Sequence, residues 1–414
     1  MTATAVSYDP YDPVIDVDPH PTWRRMRDEA PLYRNERLGF YALSRYDDVL
    51  AGLLDGATFS SRRGTLLELI DPLAPEPDGV PEGAPMIFTD PPYHDELRGL
   101  VSRTFTPRRT AALEGSIRAL CRAELDRVAG AGGSGFDFLG DFAGPIPALV
   151  IGDLLGIPEA DRRDLGHWAD QFMHYDPELE TGDEIQGMRQ MNPTRLEGAT
   201  RLIGYLEATI DERTARPGDD LVSGLIRSEI TLEDGTTRRL SRREVSSFFL
   251  LLFSAGAETT ARLLGWTGIL LARHPDQRER LVADRSLIPN AVEELLRYES
   301  PSPIQARWVT RDVELHGQVV PRGSKMALLN ASANRDERHF PDPDRFDVGR
   351  DIDRTLAFGY GAHFCLGAAL ARLEGRVVLD EVLSGLPAWQ VDEDAVEFVR
   401  TTTVRGPARV PVSW

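Results

Sequence analysis

Phe358-Gly359-Tyr360-Gly361-Ala362-His363-Phe364-Cys365-Leu366-Gly367 is the stretch on which the reading of this chain turns. It sets one of only two cysteines between glycines, directly before a run of helical periodicity from Ala368 to Leu383. A single thiolate so placed suits an axial iron ligand. Structural zinc wants four ligands and iron–sulfur clusters want several thiolates, so neither fits. Gly361 permits a turn with positive φ, and Gly367 lets backbone approach the sulfur. Amide N–H groups at the start of the following helix, with its dipole, favour an anionic sulfur. For the cysteine alone, a buried structural residue in a glycine-rich turn is the plainer reading.

The rest of the chain sets bounds on that site. It has 414 residues, 41% of them hydrophobic, and a mean hydropathy of −0.29, which is ordinary globular material with ample length for a large core. No apolar run reaches the roughly 18 residues of a membrane span. The N-terminus has neither the basic segment nor the apolar core of a signal peptide. Cys121 and Cys365 give no disulfide framework, and a cytoplasmic location is expected. A net charge of −19 and a pI near 4.9 argue against nucleic acid as a partner.

Apolar periodicity predicts helices over 110–129, 195–215, 243–273, 287–299 and 368–384. Alternating segments near 304–330 and 396–412 predict strands. The stretches 61–90 and 335–357 are long and irregular, and loops of that length are usually functional. The expected fold class is mainly α with a small β-rich lobe. Gly130-Ala131-Gly132-Gly133-Ser134-Gly135 matches a dinucleotide fingerprint in form, but a helix precedes it where that motif needs a strand. With no other flavin or nicotinamide signature, electrons must come from another protein.

Three further motifs stand in a fixed order before the cysteine. Ala255-Gly256-Ala257-Glu258-Thr259-Thr260 interrupts the long apolar helix, where Gly and Thr are poor packing choices. Gly256 would let a flat cofactor or dioxygen approach the backbone. The Thr259 hydroxyl can bond a carbonyl one turn back and loosen the helix. Glu294 and Arg297 share a helix face and are followed by Pro343-Asp344-Arg345-Phe346. His94 and Arg98, in Asp90-Pro91-Pro92-Tyr93-His94-Asp95-Glu96-Leu97-Arg98, also share a face. Each pair alone is an ordinary surface pair; their order and spacing give them weight.

Taken together, the chain resembles the cytochrome P-450 family from about residue 40 to the C-terminus. The cysteine loop agrees at every defined position of the haem-binding loop: Phe358, Gly361, Cys365 and Gly367. The resemblance implies a single-domain cytochrome P-450 fold over 1–414 and heme b (protoporphyrin IX iron) as cofactor, with Cys365 as the metal ligand. It implies that His94, Arg98, Arg307 and His363 hold the two propionates, which need charge-assisted donors in an apolar slot. Glu294, Arg297 and Arg345 would form a structural triad that fixes geometry. Glu258 and Thr259 would serve oxygen activation; the family more often has Asp where Glu258 stands. By family position the substrate pocket would draw on Leu66, Leu67, Ile70, Ile87, Leu251, Ser254, Pro303, Ile304 and Thr402. Phe172, Met173, Met188 and Met191 lie where the family keeps a mobile lid.

The activity so implied is insertion of one oxygen atom from O2 into a hydrophobic small molecule by a monooxygenase. Ferredoxin or flavodoxin would donate the electrons. Arg108, Arg109, Arg118, Arg122, Arg372 and Arg376 would offer a docking patch, or simply solvated helix faces. A non-catalytic haem-thiolate sensor or electron carrier is the alternative, and it would need no acid–alcohol pair.

Overall fold

The longest apolar segment of the sequence becomes the central helix. The computed structural model describes residues 6–74, 79–130, 132, 134–173, 193–232, 235–399 and 403–414. Eight helices position the site: α1 (Tyr93–Ser102), α2 (Glu114–Gly130), α3 (Pro145–Leu154), α4 (Glu159–Met173), α5 (Pro193–Ala215), α6 (Arg242–Arg273), α7 (Ile288–Tyr298) and α8 (Ala368–Gly385). The five helices expected from periodicity are all present, with ends shifted by up to a few residues. Met188, Met191 and Thr402 lie outside the described residues.

A capping box starts α6. The Ser241 hydroxyl accepts from the Glu244 N–H, and the Glu244 carboxylate accepts from the Ser241 N–H at 2.7 Å. Its C-terminal half is buried on every side from Ala261 to Leu271, where Arg262 and Thr267 are the only polar side chains. Two glycines allow that density. A Cβ at Gly265 would lie 2.6 Å from Pro407, and one at Gly268 would lie 2.8 Å from the Phe138 ring. By length and hydropathy α6 could cross a membrane, but 61% of its most apolar window is buried within the protein. Packing between helices accounts for its composition.

The β-rich lobe is a five-stranded sheet of β1 (Leu32–Asn35), β2 (Phe40–Leu43), β3 (Phe59–Ser60), β4 (Gln305–Val309) and β5 (Lys325–Leu328), in the order β1-β2-β5-β4-β3. Strand β5 runs parallel to β2 and antiparallel to β4. The loop after β3 folds back onto this sheet. The Ala306 N–H donates to the Thr65 carbonyl at 2.9 Å, and Lys325, the chain's single lysine, donates to the Leu67 carbonyl at 3.0 Å. Leu67, Ile70 and Ile304 are thereby buried in a small core with Tyr8 and Trp23. They fill the lobe, where the sequence reading had them lining a pocket.

The irregular stretch after the sheet is organised by α7. Glu294 and Arg297 are fully buried and paired at 2.6 Å. Arg297 also donates to the carbonyls of Asn334 (3.0 Å), Pro343 (2.9 Å) and Arg345 (3.4 Å). The second arginine at Glu294 is Arg350, at 3.2 Å, and not Arg345. The reason is the direction of the turn: Arg345 turns its carbonyl inward toward Arg297 and Arg350, so its guanidinium points out to Asp347 at 3.2 Å.

One buried group on α8 has no such support. Glu374 is 2% exposed, its Oε2 has no hydrogen-bond partner among the described residues, and burial pushes its carboxyl up to about 8.

Two stability outcomes follow from these carboxylates. Glu294→Ala strands a buried guanidinium and lowers unfolding free energy by about 3–5 kcal/mol, read from the urea midpoint. Arg345→Ala stays within about 0.5 kcal/mol of the parent. Glu374 acts through pH. The folded state keeps its proton up to about pH 8, whereas the unfolded chain releases it near the ordinary 4.5. Stability contributed by that proton is therefore lost as pH rises through this window. The urea midpoint of Glu374→Gln should gain on the parent between pH 5 and pH 8; parallel midpoints would remove this account.

Candidate active site

The cysteine loop is a tight approach to α8. Gly361 has φ +71°, and a Cβ there would lie 2.8 Å from the Leu53 carbonyl oxygen, so only glycine fits. The Cys365 N–H donates to the Phe358 carbonyl at 2.9 Å, which closes the loop. The sulfur accepts from the backbone N–H groups of Gly367 and Ala368 at the head of α8. Burial pushes the Cys365 thiol up; the Gly367 N–H, Arg98 and Arg372 pull the other way. Arg372 lies over the Phe358 ring at 4.6 Å and pairs with Glu293 at 2.6 Å. Cys121 sits apart, fully buried between α2 and α8, with its thiol pushed up to about 12 by burial.

A cluster of nitrogen donors converges beside this loop. The His94 and His363 rings are 4.3 Å apart. Arg98 donates to the Phe364 carbonyl at 2.8 Å. Arg307 is 3% exposed and donates to the Ala306 carbonyl at 2.8 Å and the Gln305 side-chain oxygen at 3.0 Å. Burial lowers Arg307 to about 10 and His363 to about 3; Arg307, His94 and Arg98 add to the shift on His363. Among the described residues no carboxylate is ion-paired with Arg98 or Arg307. His94 meets Asp95 at 3.0 Å, but the two arginines lack an ion-pair partner among the described residues, and with the two imidazoles they fit a bound group carrying two carboxylates. It thus fits haem, whose iron would lie at Cys365.

Helix α6 carries the acid–alcohol pair. The Thr259 hydroxyl donates to the Ala255 carbonyl at 2.8 Å, yet α6 runs unbroken through this point, so the hydroxyl does not loosen it. Glu258 is buried; its carboxyl is pushed up to about 7 by burial, against the pull of Arg262. Gly256 makes a close approach to a neighbouring helix. Its Cα faces α3, where a Cβ would meet the Ile151 side chain at 3.3 Å. Ser254 lines a cleft shared with Glu258 on the α3–α4 side of α6. Pro303 lines a crevice beside Tyr8 and Trp23, Leu251 packs against the main core, and Leu66 and Ile87 are half-buried.

The sequence reading missed Arg262 and Asp170, because neither belongs to a motif. Arg350 was missed although it follows Phe346 by only four residues; its spacing from Glu294 carries no local signal. The six-arginine patch is half neutralised. Arg118 pairs with Asp380 at 2.7 Å, Arg122 with Glu381 at 2.9 Å and Arg372 with Glu293. Arg108, Arg109 and Arg376 have no ion pair among the described residues.

Comparison with known proteins agrees with this geometry. The family model for Cytochrome P450 matches residues 197–395. The chain is 41% identical to "Putative cytochrome P450 123" of Mycobacterium tuberculosis, covering 98% of this chain and 96% of that one. It is 36% identical to "6-deoxyerythronolide B hydroxylase" of Saccharopolyspora erythraea, covering 96% of each. Among solved structures, cytochrome P450 CYP109Q5 from Chondromyces apiculatus superposes with a TM-score of 0.83 at 34% identity, covering 99% of this chain and 98% of that one. With the thiolate loop, the donor cradle and the acid–alcohol pair all in place, the chain belongs to the cytochrome P450 family.

Proposed function

We propose that this chain, acting as one domain, inserts one atom of O2 into a hydrophobic small molecule by hydroxylation or epoxidation. Haem b, the cofactor of the family, supplies the oxidising chemistry when bound. Cys365 would ligate the iron, and its sulfur is held as an acceptor by the Gly367 and Ala368 N–H groups. Arg98 and Arg307, with His94 and His363, would hold the two carboxylates. Burial and the neighbouring cations lower His363 here, and carboxylates bound beside it would pull the other way.

The observation that carries the reading is Glu258 beside Thr259. A carboxyl poised at about 7 can both hold and release a proton near neutrality. Thr259 adjoins it in the chain, and its hydroxyl, now donated to Ala255, can turn to pass that proton on. A sensor or electron carrier has no use for such a pair. We assign the electron supply to a separate ferredoxin or flavodoxin in the cytoplasm. The docking face would centre on Arg108, Arg109 and Arg376 in place of the full set of six arginines. Reversing Arg109 would slow electron transfer mainly at low salt, where screening is weak.

Three measurements test the assignment. The reduced protein with carbon monoxide should show the absorption band diagnostic of thiolate ligation. Cys365→His should lose it and Cys121→Ser should keep it; a band that survives in Cys365→His rules out this ligand. Thr259→Ala should retain haem and substrate binding while product formation falls by about a hundredfold or more and electrons go to hydrogen peroxide. Below about pH 7 Glu258 holds its proton and above it does not. Product rate should therefore decline through that pH in the parent, and this limb should vanish in Glu258→Gln. Full coupling of electrons to product in Thr259→Ala would contradict the role.

A further inference from the structure

Among the buried polar atoms on α6 without a hydrogen-bond partner in the described residues are Ser254 Oγ, Glu258 Oε2 and Arg262 Nε. Their residues line one cleft of about 290 Å³ between α3, α4 and α6. Helix α3 brings no charged side chain to it. Helix α4 brings Arg163, His167 and Asp170. Arg163 is engaged by Glu124. The walls are mostly apolar, but Ser254, Glu258, Arg262, His167 and Asp170 supply polar partners in a space roomy enough for several water molecules.

Arg262 is the pivot. Its Nη1 donates to the Pro407 carbonyl at 2.8 Å, and its Nη2 donates to Asp170 Oδ1 at 3.2 Å. The same Nη2 lies 3.9 Å from Glu258 Oε1, close enough to attract it and too far to hydrogen-bond. Arg262 and Glu258 side chains are 6% and 8% exposed, whereas that of Asp170 is 66% exposed. One guanidinium edge thus stands between a surface carboxylate and a buried one.

We propose that Asp170 is a positioning residue for proton delivery: it holds the Arg262 guanidinium toward α4 and keeps Glu258 out of a closed ion pair, free to exchange a proton with the cleft. The inference rests on the reading of Glu258 as a proton carrier. A buried carboxylate in direct contact with a guanidinium is fixed as the anion and gives up its capacity to hold a proton. Asp170 prevents this in two ways with one sign. It competes for Nη2, and its own negative charge disfavours a second anion nearby. The proton taken from cleft water leaves Glu258 toward Thr259, so the carboxyl returns to its starting state.

Infrared difference spectra of the haem-loaded full chain, taken across pH, will follow the protonated carboxyl of Glu258, assigned by its disappearance in Glu258→Gln. Asp170→Asn should move the midpoint down by about one pH unit, a tenfold loss of proton affinity. Asp170→Glu should restore it. Product formed per electron at pH 7 should fall in Asp170→Asn and recover in Asp170→Glu. An unmoved midpoint in Asp170→Asn overturns the proposal, even where Glu258→Gln uncouples the reaction. Normal coupling in Glu258→Gln sinks the proton-carrier role itself, and that result is read independently of the Asp170 variants.

Discussion

The buried pair of Glu294 and Arg297 is the constraint on which the site depends. Neither side chain touches solvent. Two such charges are tolerated because their remaining valences are filled: Arg297 by three backbone carbonyls, and Glu294 by the Asp347 N–H and Arg350. The carbonyls belong to a stretch with no regular element, from Asn334 to Arg350. That stretch has no ladder to hold it, so the pair supplies what a sheet or helix would. Asn334 then accepts from the Leu356 N–H at 2.7 Å and donates to Ser300 at 2.9 Å. Two residues past Leu356 the cysteine loop begins.

A second hub closes the lobe from the other side. Glu299 accepts from His20 at 3.1 Å, from Arg335 at 2.9 Å and from Arg405. These donors come from three separate parts of the chain, and they hold the Glu299 carboxyl well below its usual range despite burial. Arg405 also donates to the Asp16 and Val17 carbonyls. The N-terminal segment, the end of α7 and the C-terminal turn are thus tied at one carboxylate. Its burial makes the tie intolerant of losing any partner.

The electrostatics of the site run in opposite directions on its two sides. Beside the cysteine loop, desolvation weakens the hold of Arg307 and His363 on their protons. On α6, desolvation strengthens the hold of Glu258. The cause is the same, since a low-dielectric wall disfavours charge of either sign.

Much of this was legible in the sequence. The helices over 195–215, 243–273, 287–299 and 368–384 follow from period alone, because each buries one face or all of them. The loop around Cys365 was readable because a thiolate site needs glycines at fixed offsets, and Gly361 does adopt the positive φ that its position demands. Tertiary structure decided the rest. Arg350 replaced Arg345 because a turn directs a side chain in a way that spacing cannot show. Gly256 faced Ile151 because helix rotation is set by packing, not by motif. Leu67, Ile70 and Ile304 went to a core because the loop that carries two of them is zipped onto β4 and β5. Arg262 and Asp170 lie 92 residues apart, and only the crossing of α4 over α6 brings their charges to the same carboxylate. Local period and loop chemistry are written in the chain; which long-range partner meets a given charge is fixed only when helices pack.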